Sequence, residues 1–151
     1  MTDDTREPRP LLPFLEPFYR VAVPLAWPLV RIGIGWNLAV HGWGKVLRGP
    51  AAQAALLARD GYDFGPKLAL LLIFVELIGG ICIIFGLFTR FFAAAVALEM
   101  GLLTFDHYWG HGFSWLRQGY EYTLLWGMMS LAVALRGGGL YSLDRKIGVE
   151  L

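Results

Sequence analysis

Seven ionisable side chains sit in stretches that are otherwise apolar: Arg31, His41 and Lys45, then Glu76, then Glu99 and Asp106, then Glu121. The clearest case is LALLLIFVELIGGICIIFG, residues 68–86, in which Glu76 is the one residue that is neither apolar nor glycine. An ionisable group at the centre of a bilayer costs at least about 2.5 kcal/mol on insertion scales, so it persists where it faces a partner, a cavity or water. Donors such as His41 and Lys45 beside carboxylates such as Glu76 or Glu121 have a definite chemistry. They can hydrogen-bond a polar group and carry protons to and from it.

The elements that must position these groups are membrane helices. Hydrophobic residues make up 56% of the 151-residue chain and charged residues 17%, against the quarter or so usual in a soluble domain. A span needs about 20 mostly apolar residues. Four segments approach this: about 21–46 with Pro24 and Pro28 in its early turns, about 68–88, about 91–107, and about 120–135. Without water to satisfy the backbone they must be helices. The expected fold is therefore all-α, a polytopic four-helix transmembrane bundle over residues 21–136. A polar tail and interfacial segment (1–20) precede it, and a C-terminal tail with a short helix (137–151) follows. Thr89 reads as the N-cap of the third helix, and Ser142 as that of the tail helix with Asp144 in its first turn. Ala93, Ala97 and Gly101 form a small-residue stripe suited to close helix contact. With both termini on one side, that side holds Arg6, Arg9, Arg20, Arg90, Arg136, Arg145 and Lys146. The other holds Lys45, Arg48, Arg59, Lys67 and Arg117. The excess favours an inner-membrane protein with both termini cytoplasmic.

At about 100° per residue, Arg31, His41 and Lys45 share one face of the first helix, and Glu99 and Asp106 share one face of the third. At about 1.5 Å per residue, Arg31 lies roughly 15 Å and Glu99 roughly 12 Å from the cytoplasmic end. Matched depth predicts a buried pair, Arg31–Glu99; Glu76, one or two turns farther out, is expected to face the bundle interior with Arg31 or Lys45 as its partner. His41, Lys45, Asp106, His107, His111 and Glu121 fall near the outer end. The expected arrangement is a polar funnel that opens outward.

RIGIGWNLAVHGWGKVL, VELIGGICIIFGLFTR, GYEYTLLW and RGGGLYSLDRKIG occur in this order, and each resembles a signature of the DoxX family. The resemblance covers roughly residues 25–148. It implies four membrane helices, cytoplasmic termini and a link to membrane redox chemistry, since the related DoxD proteins are subunits of a thiosulfate:quinone oxidoreductase. On the family pattern, the candidates are Arg31, His41, Lys45, Glu76 and Glu121. Phase and depth add Glu99, His107 and His111.

Four readings follow. One is a quinone or quinol site that works with an oxidoreductase partner subunit. A second is a structural charge network in an assembly or anchor subunit. A third is a metal or haem site using Asp106, His107 and His111, whose spacing of four places two imidazoles on one helix face. The last is a small transporter or proton path. Some classes are excluded. A net charge of +1 leaves no electrostatic footprint for nucleic acid. The single cysteine, Cys82, cannot form a disulfide within the chain and reads as a packing residue. Membrane lipid is the expected surrounding. An oligomer stays open.

Overall fold

The computed structural model describes residues 11–151, and among these every regular element is helical. After a single 3-10 turn at Pro13–Leu15, α1 runs over Glu16–Arg48 as 33 unbroken residues, about 50 Å. Pro24 and Pro28 lie inside it. The short surface helix α2 is Pro50–Arg59. Next comes one continuous helical segment built of α3 (Gly65–Ile73), a π-helical turn (Phe74–Gly79) and α4 (Gly80–Phe85). α5 (Thr89–Leu102) continues through a second π-helical turn, Leu103–Tyr108. α6 is Glu121–Arg136, and α7 is the short tail helix Leu143–Ile147.

The exterior is apolar and a few charges lie inside, unlike a soluble domain. Arg31, Glu76 and Glu99 are 2%, 4% and 9% exposed. Leu29, Trp36, Phe74, Leu98, Leu131 and Leu135 all point outward. Water would not tolerate this distribution, whereas lipid demands it. The helix Pro13–Arg48, counting its entry turn, and the helix Gly65–Phe85 are each long and apolar enough to cross a membrane. The segments expected as third and fourth spans are present as α5 with its π turn and as the shorter α6.

Glycine decides how α1 meets the second segment. A Cβ on Gly35 would lie 2.5 Å from the carbonyl oxygen of Gly80, and one on Gly80 would lie 2.7 Å from the nitrogen of Ala39. The two helices run antiparallel at near backbone contact, the use expected of small residues where no hydrophobic drive separates helix from lipid. Gly79 faces the other way, against the ring of Phe92 on α5. The apolar core lies between these helices: Ile34 and Leu38 of α1, Ile83 of α4, Phe92, Val96 and Met100 of α5, and Val133 of α6. The small-residue stripe on α5 is only partly used. Ala93 is fully buried, but Gly101 has open space where a side chain would go.

Residues 16–20, within the segment expected at the interface, form the first turns of α1. One expectation needs correction here. Thr89 does not cap α5 with its side chain. The cap comes from the tail: Asp144 accepts hydrogen bonds from Phe88 N (2.7 Å), Thr89 N (2.9 Å) and Thr89 Oγ1 (2.6 Å). A carboxylate at a helix N-terminus satisfies orphan N–H groups and complements the helix dipole. Ser142 caps α7 as expected, accepting from Arg145 N. The polar tail expected over residues 1–20 has its first ten residues outside the described residues.

Candidate functional site

The buried face of α1 is a narrow stripe: Arg31, Ile34, Gly35, Leu38, Gly42 and then Lys45, which is mostly buried. It is narrow because the glycines bring the second segment so close. The stripe places Lys45 opposite the π turn that carries Glu76. A π turn inserts an extra residue into the helical repeat and so re-aims its side chains, a feature common at functional sites. Lys45 Nζ lies 2.8 Å from Glu76 Oε1 and 3.9 Å from Glu99 Oε1. Three helical segments thus contribute one group each to a buried triad.

The triad is unbalanced in charge and in hydrogen bonding. It holds two carboxylates and one ammonium, so neutrality in apolar surroundings calls for one further positive charge or proton. Glu76 Oε2 and both oxygens of Glu99 are buried without a hydrogen-bond donor. Trp126 Nε1 and Ser130 Oγ of α6 are also buried and unpartnered. Antiparallel register between α5 and α6 follows from the Thr104–Thr123 hydrogen bond (2.8 Å) and from Gly127 lying against Met100. That register sets Trp126 and Ser130 within about 3 Å of Glu99 in depth. Buried polar atoms are ordinarily satisfied, and the three unpartnered carboxylate oxygens beside Lys45 mark where a proton, ligand or water would act.

Removing the shared cation should cost more than removing either anion. Lys45→Met is expected to lower stability in detergent by about 3 kcal/mol, because it leaves two carboxylates uncompensated. The double variant Lys45→Met/Glu76→Leu should regain most of that loss. Thermal unfolding of the purified variants measures both.

Arg31 is elsewhere. The expected pairs Arg31–Glu99 and Arg31–Glu76 do not form. The guanidinium donates instead to the carbonyls of Gly138 (2.5 Å), Tyr141 (2.7 Å) and Ile84 (3.3 Å). The depth count misplaced it because α1 extends well past the ends of its neighbours, so that Arg31 lies level with the last turn of α4. A side chain on Gly86, at φ +70°, would collide with this guanidinium.

His41 is exposed, one turn from Lys45 but just off the buried stripe. Glu121 is half-buried and accepts from Trp115 N at 3.2 Å, holding the preceding loop rather than reaching the triad. Asp106 accepts a hydrogen bond from the Tyr62 hydroxyl at the outer end of α5. That bond, with burial and the neighbouring charge adding, pushes the Tyr62 phenol up to about 12. His107 and His111 have ring centroids 6.3 Å apart. Among the described residues no group of three or more His, Cys, Asp or Glu is placed to hold a metal, so Asp106, His107 and His111 do not assemble a centre. Of the expected funnel, Lys45, Glu76 and Glu99 come together; Trp126 and Ser130, which the sequence reading missed, are buried at a similar depth on α6. Their i, i+4 spacing around Gly127 was the available signal. A shallow groove of about 380 Å³ on the outer face of α5, lined by Ala97, Leu98, Gly101, Leu102, Phe105 and Asp106, lies away from the triad. The chemistry follows the charges, not the groove.

A protein of Haemophilus influenzae, named only as an uncharacterized protein, is 29% identical over 126 residues, or 82% of this chain and 91% of the relative. No solved structure matches the chain. The DoxX profile matches residues 26–109. That range takes in more than half of the sequence and all of Lys45, Glu76 and Glu99, and the chain belongs to the DoxX family.

Proposed function

We propose that this protein is a four-span, multi-pass inner-membrane subunit, with both termini cytoplasmic, whose Lys45–Glu76–Glu99 triad is the polar end of a quinone/quinol site. The observation that carries the reading is the set of buried carboxylate oxygens left without donors beside a single ammonium. Interconversion of quinone and quinol moves two electrons and two protons. Glu76 and Glu99 are the groups for the protons. The electrons pass to or from a redox-active partner subunit. His41, exposed one turn before Lys45 on α1, is within reach of a headgroup that approaches the triad from the lipid side of that helix. Arg31 and Glu121 take structural roles in this reading, the first with the tail and the second with the outer loop.

Photo-labelling of the protein in lipid nanodiscs with an azido-quinone tests it. Labelling should map to peptides containing Lys45, Glu76 or Glu99, and decylubiquinone should compete for it. Glu76→Gln should lower it at least ten-fold. Undiminished labelling of a folded Glu76→Gln protein would overturn the proposal.

One observation favours a second reading, that of an assembly or anchor subunit. Arg31 and Asp144, both almost fully buried, are spent on joining the tail to the helices. If the triad serves the same end, Glu76→Gln will reduce the amount of assembled complex and leave the activity per complex unchanged.

A further inference from the structure

Glu76 and Glu99 present acceptors to each other. Their carboxyl groups are close enough to hydrogen-bond, yet Glu76 Oε2 and both oxygens of Glu99 are buried without a donor. Two ionised carboxylates cannot make that contact. Neither has a hydrogen to give, and like charges at this range repel strongly in apolar surroundings. One proton turns the clash into a bond. The charge count asks for the same proton. Among the described residues Lys45 is the single cation paired with either group, 2.8 Å from Glu76 and 3.9 Å from Glu99. No neighbour supplies the missing charge. Arg31 is bonded to carbonyls of the tail and of α4, and His41 is exposed off the buried stripe. Asp106, on the same helical segment as Glu99, is an anion held by Tyr62. The buried polar groups of α6 at this depth, Trp126 and Ser130, are uncharged.

We infer that the triad is a proton-binding site: Glu99 holds one exchangeable proton as a neutral carboxylic acid and donates it to Glu76 Oε2, while Glu76 is the ionised partner of Lys45. The unequal distances choose the host. A buried carboxyl group without a close cation takes up a proton rather than carry an unmatched charge. The row Lys45–Glu76–Glu99 is then neutral, and a ligand as small as a proton needs no cavity. Lys45 has the most exposed side chain of the three, 17% against 5% and 8%, so the proton reaches water past the ammonium. The assignment holds whether or not a quinone binds.

Infrared spectroscopy of the purified full-length protein in dodecyl maltoside, a detergent without carbonyl groups, tests it. At neutral pH the protein should show a carboxylic-acid carbonyl band that moves on labelling with carbon-13 glutamate and again on transfer to D2O. Glu99→Gln should abolish the band. Glu76→Gln should abolish it too, because either change leaves one carboxylate to match Lys45. Thermal unfolding separates the two roles. Glu99→Gln keeps a neutral donor in place of the acid and should leave the Tm unchanged, whereas Glu76→Gln removes the 2.8 Å ion pair and should lower it. A wild-type protein without a glutamic-acid band, or a band that survives both substitutions, overturns the proton site. A band that stays in place in D2O overturns the exchange with water. A Tm loss in Glu99→Gln as large as that in Glu76→Gln overturns the choice of Glu99 as host. None of these readouts involves a quinone, so their failure is distinct from a failure of the azido-quinone labelling.

Discussion

Asp144→Ala is expected to leave little folded protein, although residue 144 lies in a short tail helix outside the long helices. The carboxylate is 1% exposed and takes three hydrogen bonds, from Phe88 N, Thr89 N and Thr89 Oγ1. Hydrogen bonds to a charged group contribute about 1.5–3 kcal/mol each, so the loss is roughly 5 kcal/mol. The consequences spread. Phe88 is held at φ 47°, a left-handed conformation that a residue with a side chain adopts at a cost, and Asp144 grips its N–H. Asp144 N also donates to the Gly86 carbonyl at 2.8 Å, and Arg31 bonds to Gly138 and Tyr141 of the same tail. Arg90 and Glu150 close the clasp with a 3.1 Å ion pair. Asp144→Asn keeps one acceptor oxygen and should lie between wild type and alanine. Thermal unfolding in detergent and the monodisperse fraction on size exclusion measure the series. An alanine variant as stable as wild type would show that the clasp contributes nothing.

Gly42→Leu is expected to separate α1 from the second segment and to take the triad apart with it. A Cβ at residue 42 would collide with the backbone of Leu77, lying 2.8 Å from its Cα. Backbone cannot swing aside as a side-chain tip can, so α1 itself must move. Gly42 lies three residues before Lys45 and Leu77 adjoins Glu76, so the same movement breaks the 2.8 Å ion pair. The variant should yield no monodisperse protein, and whatever folds should have lost the azido-quinone labelling proposed for the triad. Gly44→Ala is the control. Nothing lies within 4 Å of the added carbon, and replacing glycine with alanine inside a helix is worth up to about 1 kcal/mol. If the two variants behave alike, helix propensity rather than close approach governs this crossing.

Individual residues show how far a sequence reading reaches. The long helices were legible because apolar runs of that length have few other solutions. Glu76, Glu99 and Lys45 stood out because a charge in such a run must be matched within the protein. Helical phase put Lys45 on the inward face correctly, and it put His41 there too, because phase alone does not tell how wide the buried face is. That width is set by how closely the neighbouring helix approaches, which depends on Gly35, Gly42 and Gly80 acting together. Arg31 was paired with the wrong class of partner because depth was counted from the start of its own helix. Asp144 was read as serving its own helix, since its partners stand 55 and 56 residues away.

The sequence by itself determined an all-helical chain with charges that had to be buried in apolar surroundings, because hydropathy and the cost of an unpaired charge are properties of short segments. Only the tertiary structure decided that Lys45 serves both Glu76 and Glu99, and that Arg31 and Asp144 bind the tail. Pairing depends on the overhang and rotation of one helix against another, and a difference of one or two turns between them changes which opposite charges meet.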